Sequence, residues 1–387
     1  MTAQQLKNSI LQLAVQGKLV PQDPNDEPAS ILLEKIRNEK QRLVKEGKIK
    51  KEKPLPPISE DEIPFDVPES WVWCTVSTLG EIVTGSTPST ANLEYYGDDY
   101  PFYKPADLDA GSKVISSRDM LSSKGYDVSR PLKENSVLIT CIGATIGKTG
   151  VIRKEGACNQ QINAIIPMDC LSADFIFYCC SSDFFQKAIK ENASSTTLPI
   201  LNKGKFSDLL FPFPPLAEQH RIVERIEQLL PHIAEYDTAE QKLTALNAKF
   251  PDLLKKSILQ SAVQGKLVPQ DDNDEPASIL LERIRAEKEQ LIKDGKLKKD
   301  KPLPPITKDE IPFDVPESWE WVRLGRIVYN HGQMTPETDF CYIDIGSINN
   351  QKQLLNKQET ILSAEKAPSR ARKIVMIGDI LYSTVRP

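Results

Sequence analysis

The chain is poor in the residues that most reaction centres require. It has three histidines, His220, His232 and His331, set far apart, too few for a zinc site built on histidine. Its seven cysteines include no Cys-x-x-Cys pair, and an odd set without that spacing suits a reducing compartment. Cys179 and Cys180 adjoin within the apolar run FIFYCC, which predicts buried thiols rather than a redox couple. No stretch approaches the roughly 18 to 20 apolar residues that cross a bilayer. The amphipathic start MTAQQLKNSILQ is not a cationic, apolar secretory leader. Together these absences point to the cytoplasm and away from membranes. Also missing are a Gly-x-Ser-x-Gly elbow, a helical His-x-x-x-His pair and a dinucleotide Gly-x-Gly-x-x-Gly. FPFPPL, from Phe211 to Leu216, lacks the Asn or Asp that would hydrogen-bond a flipped adenine. As an enzyme the chain is poorly equipped.

One motif imitates a nucleotide loop. GATIGKTG, Gly143 to Gly150, ends in Lys148 and Thr149. A phosphate loop needs four residues between its first glycine and the Gly-Lys pair, so that backbone N–H groups wrap the phosphates. Here three residues separate Gly143 from Gly147, and Ile142 stands where the earlier glycine belongs. The spacing predicts a tight turn after a strand.

With 387 residues and a 40% hydrophobic fraction, the chain can build two or three packed domains. Its formal net charge of −5 is opposite to the basic surplus of most proteins that grip nucleic acid alone. Any DNA contact must rest on a local positive field or on partners.

The strongest signal is internal repetition. LKNSILQLAVQGKLVPQDPNDEPASILLEKIR from Leu6 returns from Leu254 as LKKSILQSAVQGKLVPQDDNDEPASILLERIR. KPLPPISEDEIPFDVPESWVW likewise returns as KPLPPITKDEIPFDVPESWEW, ending at Trp321. Two nearly identical copies, with different sequence after each, make a duplicated module rather than a solenoid. In each, Leu6, Ile10 and Leu13 or Leu254 and Ile258 recur at helical spacing, and Gly17 or Gly265 supplies a stop. Asp26-Glu27-Pro28 is expected to restart a helix with acid and proline in its first turn, running to Gly47. KIKKEKPLPP reads as an extended, solvated link. IPFDVPESWVW then enters a β domain, with Trp71 and Trp73 as core anchors.

From Pro214 to Lys256, Ile222, Ile226, Leu229, Ile233 and Tyr236 step by fours and threes, and Leu243, Phe250 and Leu254 keep the register. Such a seam marks helices packed along their length and implies a partner helix in this chain or in another. Pro231 is expected to kink the helix and Pro251 to start a new segment. Residues 71–212 between the copies read as mostly β with some helix. Strands are expected in LGEIVT, PFY and NSVLIT, a hairpin and strand in TGVIRKEGACNQQINAIIP, and helix in SADFIFYCCSSDFFQKAIKENA. The polar residues Ser86, Thr87, Lys104, Thr145, Lys148, Gln160, Gln161, Asn163, Lys203 and Lys205, with Tyr103 beside them, fall mostly in predicted turns. They suit reading more than reacting: Gln and Asn pair with adenine edges, Lys with guanine or phosphate, Ser and Thr with either.

The order of parts resembles the specificity subunit of a type I DNA restriction–modification enzyme. The carrying stretches are GSTPST at Gly85–Thr90 with YYG after it, SVLITCIGATIGKTGVI at Ser136–Ile152, NQQINAIIP at Asn159–Pro167 and PPLAEQHRIVERIEQLL at Pro214–Leu230. YIDIGSIN from Tyr342, SRAR from Ser369 and GDILYSTVRP from Gly378 match in the second half. The resemblance implies an α+β chain, with mostly-β target recognition domains joined by long coiled-coil-like helices. It divides the chain into a helical repeat and linker (1–70), a first recognition domain (71–212), a central long-helix region (213–266), a second repeat (267–318) and a truncated second recognition domain (319–387). It implies a non-catalytic reader of half a bipartite site on double-stranded DNA, scaffolding methyltransferase and restriction subunits. S-adenosylmethionine, ATP and Mg are then expected in those separate chains, with no cofactor or metal in this one. Lys148 and Thr145 would face the duplex from a hairpin turn, and Ser369, Arg370 and Arg372 would be their kind in the second domain.

GDILYSTVRP aligns with NSVLITCIGA of the first domain, which continues for roughly 70 residues more. A half-built sheet leaves unpaired backbone, so residues from about 322 onward are expected to be unstable unless another chain completes them. The alternative reading is a truncated subunit acting mainly through protein contacts or self-association, without productive DNA recognition alone. On either reading the purified chain should show no ATP turnover in a phosphate-release assay. Turnover abolished by Lys148→Ala would return it to the nucleotide-hydrolysing enzymes.

Overall fold

The computed structural model describes residues 1–49, 57–194, 198–299, 301–349, 352–355 and 360–382, in two units, Met1–Leu246 and Asn247–Pro387. The KIKKEKPLPP link falls largely outside the described residues.

The first unit opens with α1 (Ala3–Val15) and α2 (Ala29–Lys45). Thr2 caps α1 reciprocally with Gln5, each side chain accepting from the other's backbone N–H, which satisfies two otherwise orphaned donors. Both helices stop two residues before a glycine of positive φ, Gly17 and Gly47, as expected. The start of α2 differs from expectation. Pro28 is its cap and no acid lies in its first turn; Asp26, just before it, forms an ion pair with Arg221 at 2.6 Å.

The β body follows as β1 (Val72–Thr75), β2 (Gly80–Thr84), β3 (Tyr96–Tyr103), β4 (Asp119–Leu121), β5 (Val137–Thr140), β6 (Thr149–Val151), β7 (Ala157–Cys158), β8 (Ile162–Pro167) and β9 (Leu210–Phe213). α3 (Ser123–Val128) lies between β4 and β5; α4 (Ala173–Cys180), α5 (Asp183–Asn192) and α6 (Lys203–Ser207) lie between β8 and β9. An antiparallel sheet runs β2-β8-β5-β6, a second β4-β3-β7, and β1 pairs with β9. All four residues of β5 are buried; a strand covered on both faces explains its continuous apolar run. Ser172 and Ser182 cap α4 and α5 through the N–H groups of Phe175 and Phe185, which splits the FIFYCC stretch from the helix after it. Cys179 and Cys180 are buried and free, as the apolar run indicates.

α7 (Leu216–Val263) then runs uninterrupted through Pro231 and Pro251. Contrary to expectation, Pro251 does not start a new segment. A proline removes one rung of the ladder, and 48 residues of otherwise unbroken helix carry two such losses. No helix among the described residues is long and apolar enough to cross a membrane.

The N-terminal repeat is not a separate body. Leu11, Val15, Leu32 and Ile36 share one core with Trp71, Phe175, Phe211, Ile222 and Ile226. At its centre the wholly buried Glu218 of α7 accepts from Trp71 Nε1 at 2.8 Å and from Gln22 Nε2. Ser70 Oγ donates to Gln22 Oε1 at 3.0 Å, which orients that amide. The expected anchoring by tryptophan holds for Trp71; Trp73 is half-buried between Phe65 and Phe184.

In the second unit, α8 (Ala277–Lys293) and the short α9 (Leu324–Ile327) are followed by two-residue ladders. β10 (Phe340–Cys341) pairs with β13 (Ile361–Leu362), and β11 (Ile348–Asn349) with β12 (Leu354–Leu355). No described hydrophobic side chain of 247–387 is buried. Gly378–Tyr382 form no strand, and the remainder of GDILYSTVRP lies outside the described residues.

Burial raises the Glu218 pKa above its ordinary 4.5, against the lowering effect of the Trp71 and Gln22 hydrogen bonds. A carboxyl whose pKa is higher folded than unfolded favours the fold most when protonated. Its contribution is greatest below pH 4.5 and declines as pH rises through the folded value. The melting-temperature advantage of the native chain over Glu218→Gln should therefore be largest in acid and shrink toward neutrality. A pH-independent difference would show that the carboxyl is not strained by burial.

Candidate nucleic-acid interface

Strand register brings the predicted turns together. Thr84 at the end of β2 faces Asn163 at the start of β8. Thr140 at the end of β5 faces Ile162, and Ile139 faces Thr149 at the start of β6. The turns holding Ser86 and Thr87, Thr145 and Lys148, and Gln160 and Gln161 therefore leave the same end of one sheet. The parallel pairing of Tyr103 with Cys158 sets Lys104 beside Asn159, whose N–H donates to Tyr103 O at 3.1 Å. The segment leading to Lys203 and Lys205 joins the cluster: Gly143 N donates to Pro199 O at 3.0 Å and Leu201 N to Cys141 O at 2.8 Å.

These turns are tied chiefly by main-chain bonds. Gly85 N donates to Ile162 O and Ser86 N to Cys158 O, both at 2.9 Å, and Cys141 N to Gln161 O at 2.7 Å. A Cβ on Gly85 would lie 2.1 Å from Asn159 O, so glycine is what permits the GSTPST turn to sit against the 158–161 turn. GATIGKTG is the β5–β6 connection and not a phosphate cradle. Gly147 N donates to Thr140 O at 2.8 Å, and Gln186 of α5 clamps the turn, its Nε2 donating to Gly147 O at 2.8 Å and Cys180 O at 2.7 Å.

The predicted readers divide on exposure. Thr87, Thr145, Gln160, Lys203 and Lys205 are exposed; Ser86, Lys104, Lys148 and Gln161 are half-buried. Thr87 Oγ1 donates to Gln160 Oε1, and Asn159 Nδ2 to Gln161 Oε1 at 2.9 Å. Two expected readers are core residues instead. Tyr103 is wholly buried with its hydroxyl on Lys154 O at 2.8 Å. Asn163, 2% exposed, accepts from Thr84 Oγ1 at 2.7 Å and donates to Leu201 O at 3.4 Å. Neither side chain reaches a surface from which a base could be touched.

Three of the predicted lysines are already engaged. Lys148 pairs with Asp109 at 2.6 Å and Lys104 with Asp119 at 2.7 Å, and Lys205 Nζ donates to Asn192 O at 3.2 Å. Exposed ion pairs of this kind are weak, so exchanging a carboxylate for a phosphate is inexpensive. Arg130 is a further cation at this end, exposed and donating to Thr84 O at 2.6 Å. It sits in the link before β5, where no local pattern singles it out; only the return of that link to the end of β2 could reveal it. The thiols nearby are inert, since burial pushes Cys141 and Cys158 up to about 12. Among the described residues no group of three or more His, Cys, Asp or Glu could hold a metal ion.

In the second unit Ser369, Arg370 and Arg372 are exposed, with Arg370 Nε donating to Tyr342 Oη at 3.3 Å. The helical seam splits likewise. Ile222, Ile226 and Ile233 are buried, Leu229 is half-buried, and Tyr236 donates its hydroxyl to Met1 O at 2.6 Å. Ile222 and Ile226 are ordinary core. Leu243, Phe250 and Leu254 are exposed.

This geometry is an α+β body that presents polar turns from one sheet end. Residues 68–245 match the type I restriction modification DNA specificity domain. The chain is 38% identical over 377 residues to the EcoAI type I restriction enzyme specificity subunit of Escherichia coli, covering 84% of this chain and 62% of that protein. It is 36% identical over 381 residues to the EcoEI specificity subunit of the same species, with the same coverage. Against the crystal structure of the HsdS subunit from Thermoanaerobacter tengcongensis, identity is 23% and the TM-score 0.38, over 62% of this chain and 57% of that one. Residues 68–245 therefore belong to the type I specificity-domain family, and the chain is a homologue of type I restriction enzyme specificity subunits. It spans about three-fifths of the length of these relatives.

Gly147 adopts φ +89°, and an added Cβ would lie 2.2 Å from Gln186 Oε1. Gly147→Ala should cost about 1–3 kcal/mol, read as a lower urea midpoint. Adding Gln186→Ala should not restore it, because the backbone penalty remains. An unchanged midpoint in the single variant would mean that the turn relaxes freely.

Proposed function

We propose that the chain is a non-catalytic, sequence-reading subunit of a type I restriction–modification complex, working in the cytoplasm on double-stranded DNA. The observation that carries this reading is the convergence of the Thr87, Thr145, Gln160 and Lys203 turns at one end of the β2-β8-β5-β6 sheet. Hydrogen-bonding side chains on turns can enter a groove, whereas the strands behind them fix their register. The acidic net charge and the paired state of Lys104 and Lys148 support a division of labour. The domain reads base edges, and methyltransferase and restriction subunits supply much of the phosphate neutralisation. Those subunits would also bring S-adenosylmethionine, ATP and Mg.

The test is an electrophoretic shift of the chain with its methyltransferase subunits on duplexes of varied sequence. Changing Gln160, Gln161 and Lys148 together to alanine should reduce the preference for the favoured duplex by about tenfold or more, since a good base contact contributes about 1–3 kcal/mol of discrimination. Equal affinity for every duplex, unaltered by the triple change, would sink the reading. The exposed Leu243, Phe250 and Leu254 favour a second reading, in which the chain acts through helix contacts with itself or with the methyltransferase. Mass measured over a range of concentrations, with and without that subunit, separates the two.

A further inference from the structure

Two lysine–aspartate pairs stand at the recognition end, and they differ in which partner faces outward. In the Lys104–Asp119 pair both side chains are 42% exposed. In the Lys148–Asp109 pair the lysine is 24% exposed and the aspartate 78%. The second pair is therefore turned with its carboxylate toward solvent and its ammonium behind, 2.6 Å away.

Both members of that pair are held from below. Lys148 lies in the β5–β6 turn, where its O accepts from Thr140 N at 2.8 Å and its N donates to Thr145 O at 3.1 Å. Asp109 belongs to a kinked 3-10 segment, Asp107–Lys113. Asp107 fastens the start of this segment, accepting from Lys104 N at 2.7 Å and from Arg118 N at 3.2 Å. Leu108 anchors it in the core, 2% exposed, and Ser112 O accepts from Arg153 Nε at 2.9 Å. Val114 N then donates to Val151 O of β6 at 2.9 Å. Among the described residues Lys148 is the only side chain paired with the Asp109 carboxylate, whose two oxygens can accept about four hydrogen bonds. Most of that capacity faces water.

We propose that Asp109 is a base-reading residue, accepting a hydrogen bond from an exocyclic amino group in the major groove, cytosine N4 or adenine N6, and that Lys148 is its positioning residue. This rests on the DNA-reading function proposed above. At Lys104 a phosphate can replace the carboxylate; at Lys148 the carboxylate lies in front, so an approaching phosphate meets negative charge first. The guanine O6 and thymine O4 acceptors are repelled in the same way, whereas an amino donor is accepted. Lys148 behind the carboxylate offsets the desolvation of a negative group brought against DNA and holds it in one orientation.

The chain with its methyltransferase subunits is used to select duplexes from a pool randomised in sequence, and the bound fraction is sequenced. We expect Asp109→Ala to relax the preference at one base pair by about tenfold or more. The other positions of the selected sequence should stay as sharp as before, which also shows that the variant is folded. Lys148→Met should relax the same base pair, and the double variant no further, because the two side chains act as one unit. On the selected duplex, purine in place of the adenine at that pair, or pyrimidin-2-one in place of the cytosine, removes the amino group. Either replacement should weaken binding by the native chain about tenfold and by Asp109→Ala not at all. Three outcomes would each overturn the assignment while leaving the reading function standing: a preference untouched by Asp109→Ala, a uniform gain in affinity for all duplexes in that variant, or different base pairs relaxed by Asp109→Ala and Lys148→Met. Failure of the native chain to select any sequence would overturn both.

Discussion

The first unit depends on how a buried carboxylate is satisfied. Glu218 leaves water entirely, and only an indole N–H and an amide N–H meet it. An unpaired carboxylate in that position would cost several kcal/mol, so Trp71, Gln22 and α7 must arrive together. Ser70 on Gln22 and Asp26 on Arg221 fix the two flanks. The tandem of a Trp from the module and a Glu from the long helix therefore makes an N-terminal segment, a β body and a helix start into one folded unit. That is why the division of residues 1–70 from residues 71–212, clear in the sequence, is not a division of the core.

The recognition end obeys a different rule. Its turns are short of apolar contacts and rely on backbone hydrogen bonds across strand ends, with Gly85 and Gly147 placed where a side chain would collide. Lys104 and Lys148 there are held by the neighbouring Asp119 and Asp109. At those two positions a phosphate contact must displace a carboxylate already in place.

Much of this was legible before any coordinates. The repeat, the stops at Gly17 and Gly47, the β5 run and the turn nature of GATIGKTG follow from spacing and local chemistry, which act over a few residues. What escaped depends on distant partners. Asp26 looked like a helix-dipole residue because its true partner, Arg221, lies far along the chain. Tyr103 and Asn163 looked like readers because polarity was taken as exposure; register puts Asn163 opposite Thr84, which satisfies it inside. Arg130 escapes because only the return of its link to the end of β2 brings it to this face. Pro251 was expected to start a new helix, yet propensity yields to a helix whose other turns remain intact.

The main-chain tethering of the turns has a consequence for how such a protein changes over generations. Since Gly143, Ser86, Cys141 and Leu201 are fastened through peptide groups, the outward side chains at Thr87, Thr145 and Gln160 are not what keeps the loops folded. Those positions can therefore change by point substitution while the backbone beneath them keeps its course, so a lineage can vary the outer face without first losing its scaffold.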